Sequence, residues 1–155
     1  MLTDYVSVND IKLNLESTDR DEAFAELTEL LVAKCPSLNR AEYLKALTER
    51  ENKMSTAVFP GIAVPHAVCE SAKETSIVIG ISKGGIEFEP TDANQKENPV
   101  VNVIFQTAFE RENTGSHLNV LRDILYIVSK PEFFEKILKV NSSQEAFELI
   151  QELEY

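Results

Sequence analysis

Apolar side chains return every three or four positions along residues 20–35, and this spacing predicts an amphipathic helix. Asp19 stands where an N-cap is expected, and Pro36 follows the end of the pattern. The same spacing predicts four more helices, at residues 40–51, 116–130, 131–140 and 142–153.

Two other stretches, residues 75–82 and 99–108, are apolar and β-branched without a clean alternation of polar positions. This pattern is typical of strands that are covered on both faces. A third, shorter strand is expected at residues 62–64. Helices that alternate with buried strands predict an α/β (α+β) sandwich, with a mixed central sheet and helices on both faces. The length of 155 residues suits a single domain over residues 1–155.

Composition narrows the functional classes. The net charge is −11, from 26 acidic and 15 basic residues, and no Lys/Arg cluster is present, so nucleic-acid binding is disfavoured. The acidic surface suits either simple solvation or attraction of a basic protein partner. The apolar runs are too short to cross a bilayer, and two cysteines do not form a disulfide framework. We therefore expect a soluble, cytoplasmic protein without membrane insertion.

His66, one of only two histidines, follows a proline at the end of the apolar run "GIAVPHA". Proline has no N–H to give to a strand ladder, so pairing is expected to stop at Pro65 and His66 to lie at the strand exit. There the backbone is held while one ring nitrogen faces a cleft. A histidine that only makes a hydrogen bond in a turn fits the same pattern.

His117 follows Ser116, the expected N-cap of the helix at residues 116–130. The exposed N–H groups and the dipole at a helix start disfavour a protonated imidazole. We therefore expect a neutral His117 whose N–H can be donated to an anion. The alternative is a surface residue in the first helical turn.

Arg50 lies at the end of the second predicted helix, and Ser55 and Thr56 lie between Arg50 and His66. The planar fork of an arginine binds two phosphate oxygens at once, and the two hydroxyls can donate to the same anion. Structural explanations remain open for all three, since a cation suits a helix C-terminus and hydroxyl residues are common in loops.

Two histidines, a guanidinium and two hydroxyls favour a site that holds a phosphoryl group. Neutral imidazole is a good nucleophile toward phosphorus near pH 7, because its usual pKa is about 6.5. The sequence has no glycine-rich "GxxxxGK" nucleotide loop, so another molecule has to supply the phosphoryl group. A zinc site built from His66, Cys69 and His117 is the rival hypothesis, although a fourth ligand at motif spacing is missing.

Residues 50–67, "RENKMSTAVFPGIAVPHA", resemble the signature of the fructose/mannitol class (type 2) of enzyme IIA domains of the bacterial phosphoenolpyruvate-dependent sugar phosphotransferase system. Residues 116–125, "SHLNVLRDIL", are similar to the second histidine segment of that family. The order of helices, strands and motifs matches the family along nearly the whole chain.

The resemblance implies a cytoplasmic phosphotransferase that accepts a phosphoryl group from the histidine phosphocarrier HPr. It then passes the group to a cysteine of a IIB partner, which phosphorylates a sugar during import through a IIC membrane component. By position, His66 corresponds to the phosphorylated histidine, His117 to the second active-site histidine and Arg50 to the arginine ahead of the motif. The phosphoryl group is carried covalently, so no cofactor or metal is implied. The alternative is a regulatory module that acts through phosphorylation-dependent protein binding.

Two segments depart from the family pattern. "VFPG" at residues 58–61 stands where many members have Gly-x-Gly, and "QTAFERENTGS" at residues 106–116 replaces an apolar run that ends in proline. These departures make the chain more similar to galactitol-like or ascorbate-like members than to the nitrogen-regulatory branch. The sequence does not name the sugar.

Overall fold

The computed structural model describes residues 1–57, 59–89 and 97–155, so Val58 of the "VFPG" segment lies outside the described residues. The helices in the described part are α1 (Arg20–Lys34), α2 (Arg40–Lys53), α3 (Thr114–Val128), α4 (Pro131–Ile137) and α5 (Ser143–Leu153). The strands there are β1 (Ile11–Lys12), β2 (Gly61–Ala63), β3 (His66–Val68), β4 (Ser76–Glu87) and β5 (Val100–Phe109).

Three helices begin at side chains that cap them. Asp19, Asn39 and Ser142 each accept a hydrogen bond from the backbone N–H three residues later, at distances of 2.8, 2.9 and 3.1 Å. Each bond satisfies one of the N–H groups that a helix start leaves without a partner. These caps confirm the predicted starts of α1, α2 and α5.

The strands form one mixed sheet in the order β1-β4-β5-β2, with β3 also paired to β5. β4 and β5 run antiparallel to each other, while β1 is parallel to β4 and both β2 and β3 are parallel to β5. The central strands β4 and β5 are buried along most of their length, as their apolar pattern predicts. β2 and β3 lie along one edge of this sheet.

Helices cover both faces of the sheet, and this confirms the predicted fold class. On one face the core contains apolar residues of α3, α4, α5 and the N-terminal segment. On the other face it contains those of α1 and α2. No helix in the described part of the chain is both long and apolar enough to cross a membrane.

Gly80, in the middle of β4, allows α1 to approach the sheet closely. A Cβ atom at this position would lie 2.8 Å from the Leu15 side chain and 2.9 Å from that of Leu27. These distances are too short for carbon atoms, so a Cβ atom at Gly80 would force the Leu15 and Leu27 methyl groups to shift.

Candidate functional site

A cavity of about 400 Å³ opens where β3 and the end of β5 meet α2 and α3. It contains three of the five predicted site residues, namely Arg50, His66 and His117. The other residues that line it are Ala46, Glu49, Lys53, Ala67, Val68, Phe109 and Leu121. The cavity thus joins segments that lie far apart in the sequence.

Pro65 interrupts the edge strand but does not end it. β3 begins at His66, directly after the proline, and pairs in parallel with β5. The prediction that pairing stops at Pro65 was wrong, because the ladder uses the carbonyl group of this residue, which accepts from Thr107 N at 3.0 Å. A proline lacks the N–H but keeps the acceptor.

Both backbone groups of Val64, the residue before the proline, make hydrogen bonds that hold the site. Its N–H donates to the Thr56 carbonyl at 3.3 Å, and its carbonyl lies 2.8 Å from Nδ1 of His66. A carbonyl can only accept, so the proton of the neutral ring is on Nδ1. The lone pair is therefore on Nε2, the nitrogen that a nucleophile needs free.

Burial lowers the pKa of His66 below its usual value, since the half-buried ring is partly removed from water. The hydrogen bond to the Val64 carbonyl raises this pKa, and the neighbouring Arg50 and His117 lower it further. The net shift is downward and favours the neutral ring, which is the nucleophilic form.

Phe109, the last residue of β5, lies between the two histidines. Its ring stacks on that of His117 with 4.3 Å between centroids, and it meets the His66 ring edge to face at 5.8 Å. We did not predict this role, because Phe109 ends an apolar run and looks like any core aromatic. The parallel register that pairs Val68 with Phe109 brings it beside His66.

His117 lies within the first turns of α3, although not where the sequence suggested. The helix begins at Thr114 with Asn113 as N-cap, and Ser116 lies inside it with its hydroxyl donating to the Asn113 carbonyl at 2.8 Å. The prediction of Ser116 as N-cap was therefore wrong. The Asn113 side chain makes no capping hydrogen bond, so no local capping signal marks the start of α3.

The hydrogen bond of the His117 ring also differs from the expected one. Nε2 lies 2.7 Å from the carbonyl oxygen of Glu110, so the single proton of a neutral ring is already donated there. Nδ1 of that neutral ring is an acceptor and would repel a phosphoryl oxygen. His117 can donate from Nδ1 only when the ring carries a second proton.

Arg50 and Lys53 supply two positive charges from the last turn of α2. Nη1 of Arg50 donates to the Met54 carbonyl at 2.9 Å, which fixes one arm of the guanidinium. Lys53, which lies one helical turn further on, was not among our predicted site residues. The sequence feature that could have indicated Lys53 is its spacing of three residues from Arg50, which places both side chains on one face of the helix.

Ser55 and Thr56 do not line the cavity. Both are buried, and their hydroxyls lie 3.3 and 3.0 Å from the carboxylate of Glu51. The structure therefore places them against an acidic group rather than beside His66. Their predicted phosphate-binding role has no support in this geometry.

The residues of the zinc hypothesis do not form a ligand cluster. Within residues 1–57, 59–89 and 97–155, no group of three His, Cys, Asp or Glu side chains is placed to hold a metal ion. Cys69 is buried, and this burial raises the pKa of its thiol. A thiolate, which is the form that binds metal, is thereby disfavoured.

Comparison with protein families identifies one match along nearly the whole chain. Residues 4–153 match the family described as "Phosphoenolpyruvate-dependent sugar phosphotransferase system, EIIA 2". A mannitol-specific phosphotransferase enzyme IIA component of Halalkalibacterium halodurans is 30% identical over 148 residues, which cover 96% of this chain and 95% of that protein. A fructose-specific EIIABC component of Bacillus subtilis is 28% identical over 152 residues, 97% of this chain but only 23% of that longer protein.

Solved structures show the same fold. Nitrogen regulatory protein IIA-Ntr from Neisseria meningitidis superposes with a TM-score of 0.82 at 25% identity, over 95% of this chain and 97% of the other. Enzyme IIAMtl of Escherichia coli, in a complex with phosphorylated enzyme IIBMtl, gives a TM-score of 0.75 at 22% identity, over 95% and 97% of the two chains. These relatives are named for fructose, mannitol and nitrogen regulation, and the galactitol-like or ascorbate-like branch stays a prediction.

Proposed function

We propose that this chain, which belongs to the EIIA 2 family of the phosphoenolpyruvate-dependent sugar phosphotransferase system, carries a phosphoryl group on Nε2 of His66. The observation that carries the proposal is the hydrogen bond from Nδ1 to the Val64 carbonyl. This bond leaves the lone pair on Nε2, in a cavity that the ring shares with Arg50 and His117. A fixed, neutral imidazole beside positive charge suits phosphoryl transfer, which depends mainly on positioning and charge stabilisation.

In the first step Nε2 of His66 attacks the phosphorus of phospho-HPr. The new N–P bond forms as the N–P bond to the HPr histidine breaks, and that imidazole leaves. In the second step a cysteine thiolate of a IIB partner attacks the same phosphorus, and the bond to His66 breaks. A IIC membrane component completes sugar import, and contact with HPr places this chain in the cytoplasm.

The names of two relatives support these partners. The protein of Bacillus subtilis is an EIIABC component, which names a IIA, a IIB and a IIC part together. The Escherichia coli IIAMtl structure contains phosphorylated IIBMtl. By analogy we assign a IIB protein as the acceptor for this chain.

Arg50 and His117 stabilise the charge of the group in transit. The guanidinium has donors left beyond the one that binds Met54, and they can bind phosphoryl oxygens. The negative charge of the incoming phosphoryl group favours a second proton on the His117 ring, at Nδ1, and this proton converts the nitrogen from an acceptor into a donor. Loss of one such donor commonly lowers a rate by about 10²–10³-fold.

Labelling with phosphoenolpyruvate, enzyme I and HPr tests the proposal. The wild-type chain should acquire an acid-labile label, and His66→Ala should acquire none, because it lacks the ring nitrogen that is proposed to attack the phosphorus. His117→Ala should still be labelled but should deliver the group to a IIB protein about 10²-fold more slowly. Normal labelling of His66→Ala would contradict the assignment of His66, and unimpaired delivery by His117→Ala would contradict that of His117.

A regulatory module is the second candidate, favoured by the similarity to nitrogen regulatory protein IIA-Ntr. In that case His66 would still be phosphorylated, but the phosphoryl group would control binding to a target protein. Offering the labelled chain to a panel of IIB proteins separates the two functions. Transfer to one of them supports the carrier, and stable labelling with all of them supports the regulator.

A further inference from the structure

We propose that Glu51, which the transfer mechanism above does not use, is a positioning residue that holds both His66 and Arg50 in place. Its side chain is only 2% exposed and lies in the last turn of α2, next to Arg50 in the sequence. A substitution of Glu51 is expected to change both the rate of phosphoryl transfer and the tautomer of His66. The first expectation rests on the proposed function, and the second does not.

The carboxylate of Glu51 binds the two residues that follow the end of α2. It accepts from the backbone N–H of Thr56 at 2.8 Å, from the Thr56 hydroxyl at 3.0 Å and from the Ser55 hydroxyl at 3.3 Å. None of the ion pairs among the described residues includes Glu51. Hydrogen bonds from this one turn, residues 54–56, are therefore what offsets its burial.

Local energetics alone would not select a carboxylate at this position. The C-terminal end of a helix carries partial negative charge, which disfavours an acidic side chain there. Burial of a carboxylate without a cation is also unfavourable unless hydrogen bonds replace the lost water. A residue that opposes local preference in this way, directly beside the candidate site, is expected to serve the site.

The turn transmits the position of Glu51 to His66 through the backbone. The carbonyl of Thr56 accepts from Val64 N at 3.3 Å, and the carbonyl of Val64 accepts from Nδ1 of His66 at 2.8 Å. Three consecutive links thus connect the buried carboxylate with the ring that is proposed to carry the phosphoryl group. If Thr56 moves, Val64 loses the partner that orients its carbonyl.

The same turn also holds the guanidinium. Met54, the first residue of the turn, accepts from Nη1 of Arg50 at 2.9 Å. The nucleophile and its neighbouring cation therefore depend on one three-residue segment. Glu51 fixes that segment from a buried position and is not one of the residues that line the cavity.

The test compares Glu51→Ala with Glu51→Gln in the full chain. We expect Glu51→Ala to slow phosphorylation by phospho-HPr by about 10²-fold with little change in the KM for HPr, because misplacement of a reacting group by about 1 Å costs that much. Glu51→Gln should recover most of the rate, since its amide oxygen still accepts from Thr56 N–H.

Nitrogen-15 NMR of the His66 ring supplies a readout that needs no phosphoryl donor. Wild type and Glu51→Gln should show one tautomer with the proton on Nδ1. Glu51→Ala should show a mixture of tautomers and faster exchange of the Nδ1 proton. If the wild-type chain were never labelled, the proposed function would fail while this comparison would still decide the role of Glu51.

Asp10→Asn is the control, because Asp10 is another buried acidic residue that holds a turn, through Ser7 N at 2.9 Å, in the N-terminal segment. Unlike Glu51, it also pairs with a cation, Lys34, at 2.9 Å. We expect Asp10→Asn to leave the tautomer of His66 and the transfer rate unchanged. Two results would overturn the proposal. One is a folded Glu51→Ala whose His66 ring shows only the Nδ1–H tautomer. The other is an Asp10→Asn variant whose His66 ring changes as much as it does in Glu51→Ala.

Discussion

Under the proposed function, the protonation state of His66 decides the pH range in which the ring can accept a phosphoryl group. Burial lowers the pKa of this ring, and so do Arg50 and His117, against the opposing hydrogen bond to Val64. At pH 6.5, where a free imidazole is about half protonated, the neutral form of this ring is therefore in excess. As the pH falls through the lowered pKa, Nε2 takes up a proton and loses its nucleophilicity. The folded state also loses stability below about pH 6.5, because the unfolded chain binds this proton more tightly.

A titration of His66 followed by NMR tests this electrostatic account. We expect a midpoint below the usual value of about 6.5 in wild type. Arg50→Ala should raise the midpoint, since it removes a positive charge that disfavours the protonated ring. Arg122→Ala, which changes an exposed arginine on α3, serves as the control and should have no effect. A wild-type midpoint above 6.5, or one that Arg50→Ala does not move, would contradict the account.

At the scale of single residues, the sequence indicated which side chains have suitable chemistry better than it indicated which groups those side chains contact. His66, His117 and Arg50 were found because their chemistry suits a phosphoryl group, and the structure brings all three to one cavity. Ser55 and Thr56 have hydroxyls that suit a phosphate or a carboxylate equally well. Only the burial of Glu51, a tertiary property, decides which of the two they contact.

Among the elements, β4 and α1 depend on the close approach at Gly80. Gly80→Ala should destabilise the fold by about 1–3 kcal/mol, because its methyl group would lie within 3 Å of Leu15 and Leu27. Gly84→Ala, in the same strand, is the matched control, since a Cβ there meets nothing within 4 Å. Denaturant unfolding measures both variants. Equal free energies of unfolding for Gly80→Ala and Gly84→Ala would contradict the prediction, because they would show that α1 moves away from β4 without loss of stability.

Helix starts were predicted correctly where a side chain caps the helix and less well where none does. Asp19 accepts from Glu22 N, and this cap marks the start of α1. At the start of α3 the Asn113 side chain makes no capping hydrogen bond, so the local sequence does not mark this position. Pro65 was read as a strand end, but a parallel ladder can use its carbonyl group, and this depends on a partner strand that the local sequence does not reveal.

The whole molecule brings its site together from segments that the sequence keeps apart. The fold class followed from strands that are apolar on both faces, because only a sheet covered by two helical layers buries such strands. The strand order did not follow, since no local pattern states that β5 pairs with β2, β3 and β4. The cavity depends on that order, so a lining residue such as Phe109 could not be assigned to the site from the sequence.

One cavity also limits how partners can bind. Under the proposed function, donor and acceptor both have to reach Nε2 of His66, so we expect HPr and a IIB protein to exclude each other. Calorimetry can measure the binding of HPr to this chain in the presence of unphosphorylated IIB at saturating concentrations. The apparent affinity for HPr should fall in proportion to the concentration of IIB. Leu118→Asp, which places a charge on an exposed residue next to His117, should weaken both partners. A ternary complex in sedimentation analysis would contradict this prediction.

The two-residue gap between β2 and β3 suggests a rule for engineering. Val64 leaves the ladder there, so its carbonyl is free to fix an imidazole two residues later, while Pro65 keeps the strand in register through its own carbonyl. A similar gap could be inserted into the edge strand of another parallel pair, with proline as its second residue and histidine directly after it. The imidazole of that histidine should then adopt one defined tautomer. A designed scaffold could acquire an oriented nucleophile in this way without any change to its core.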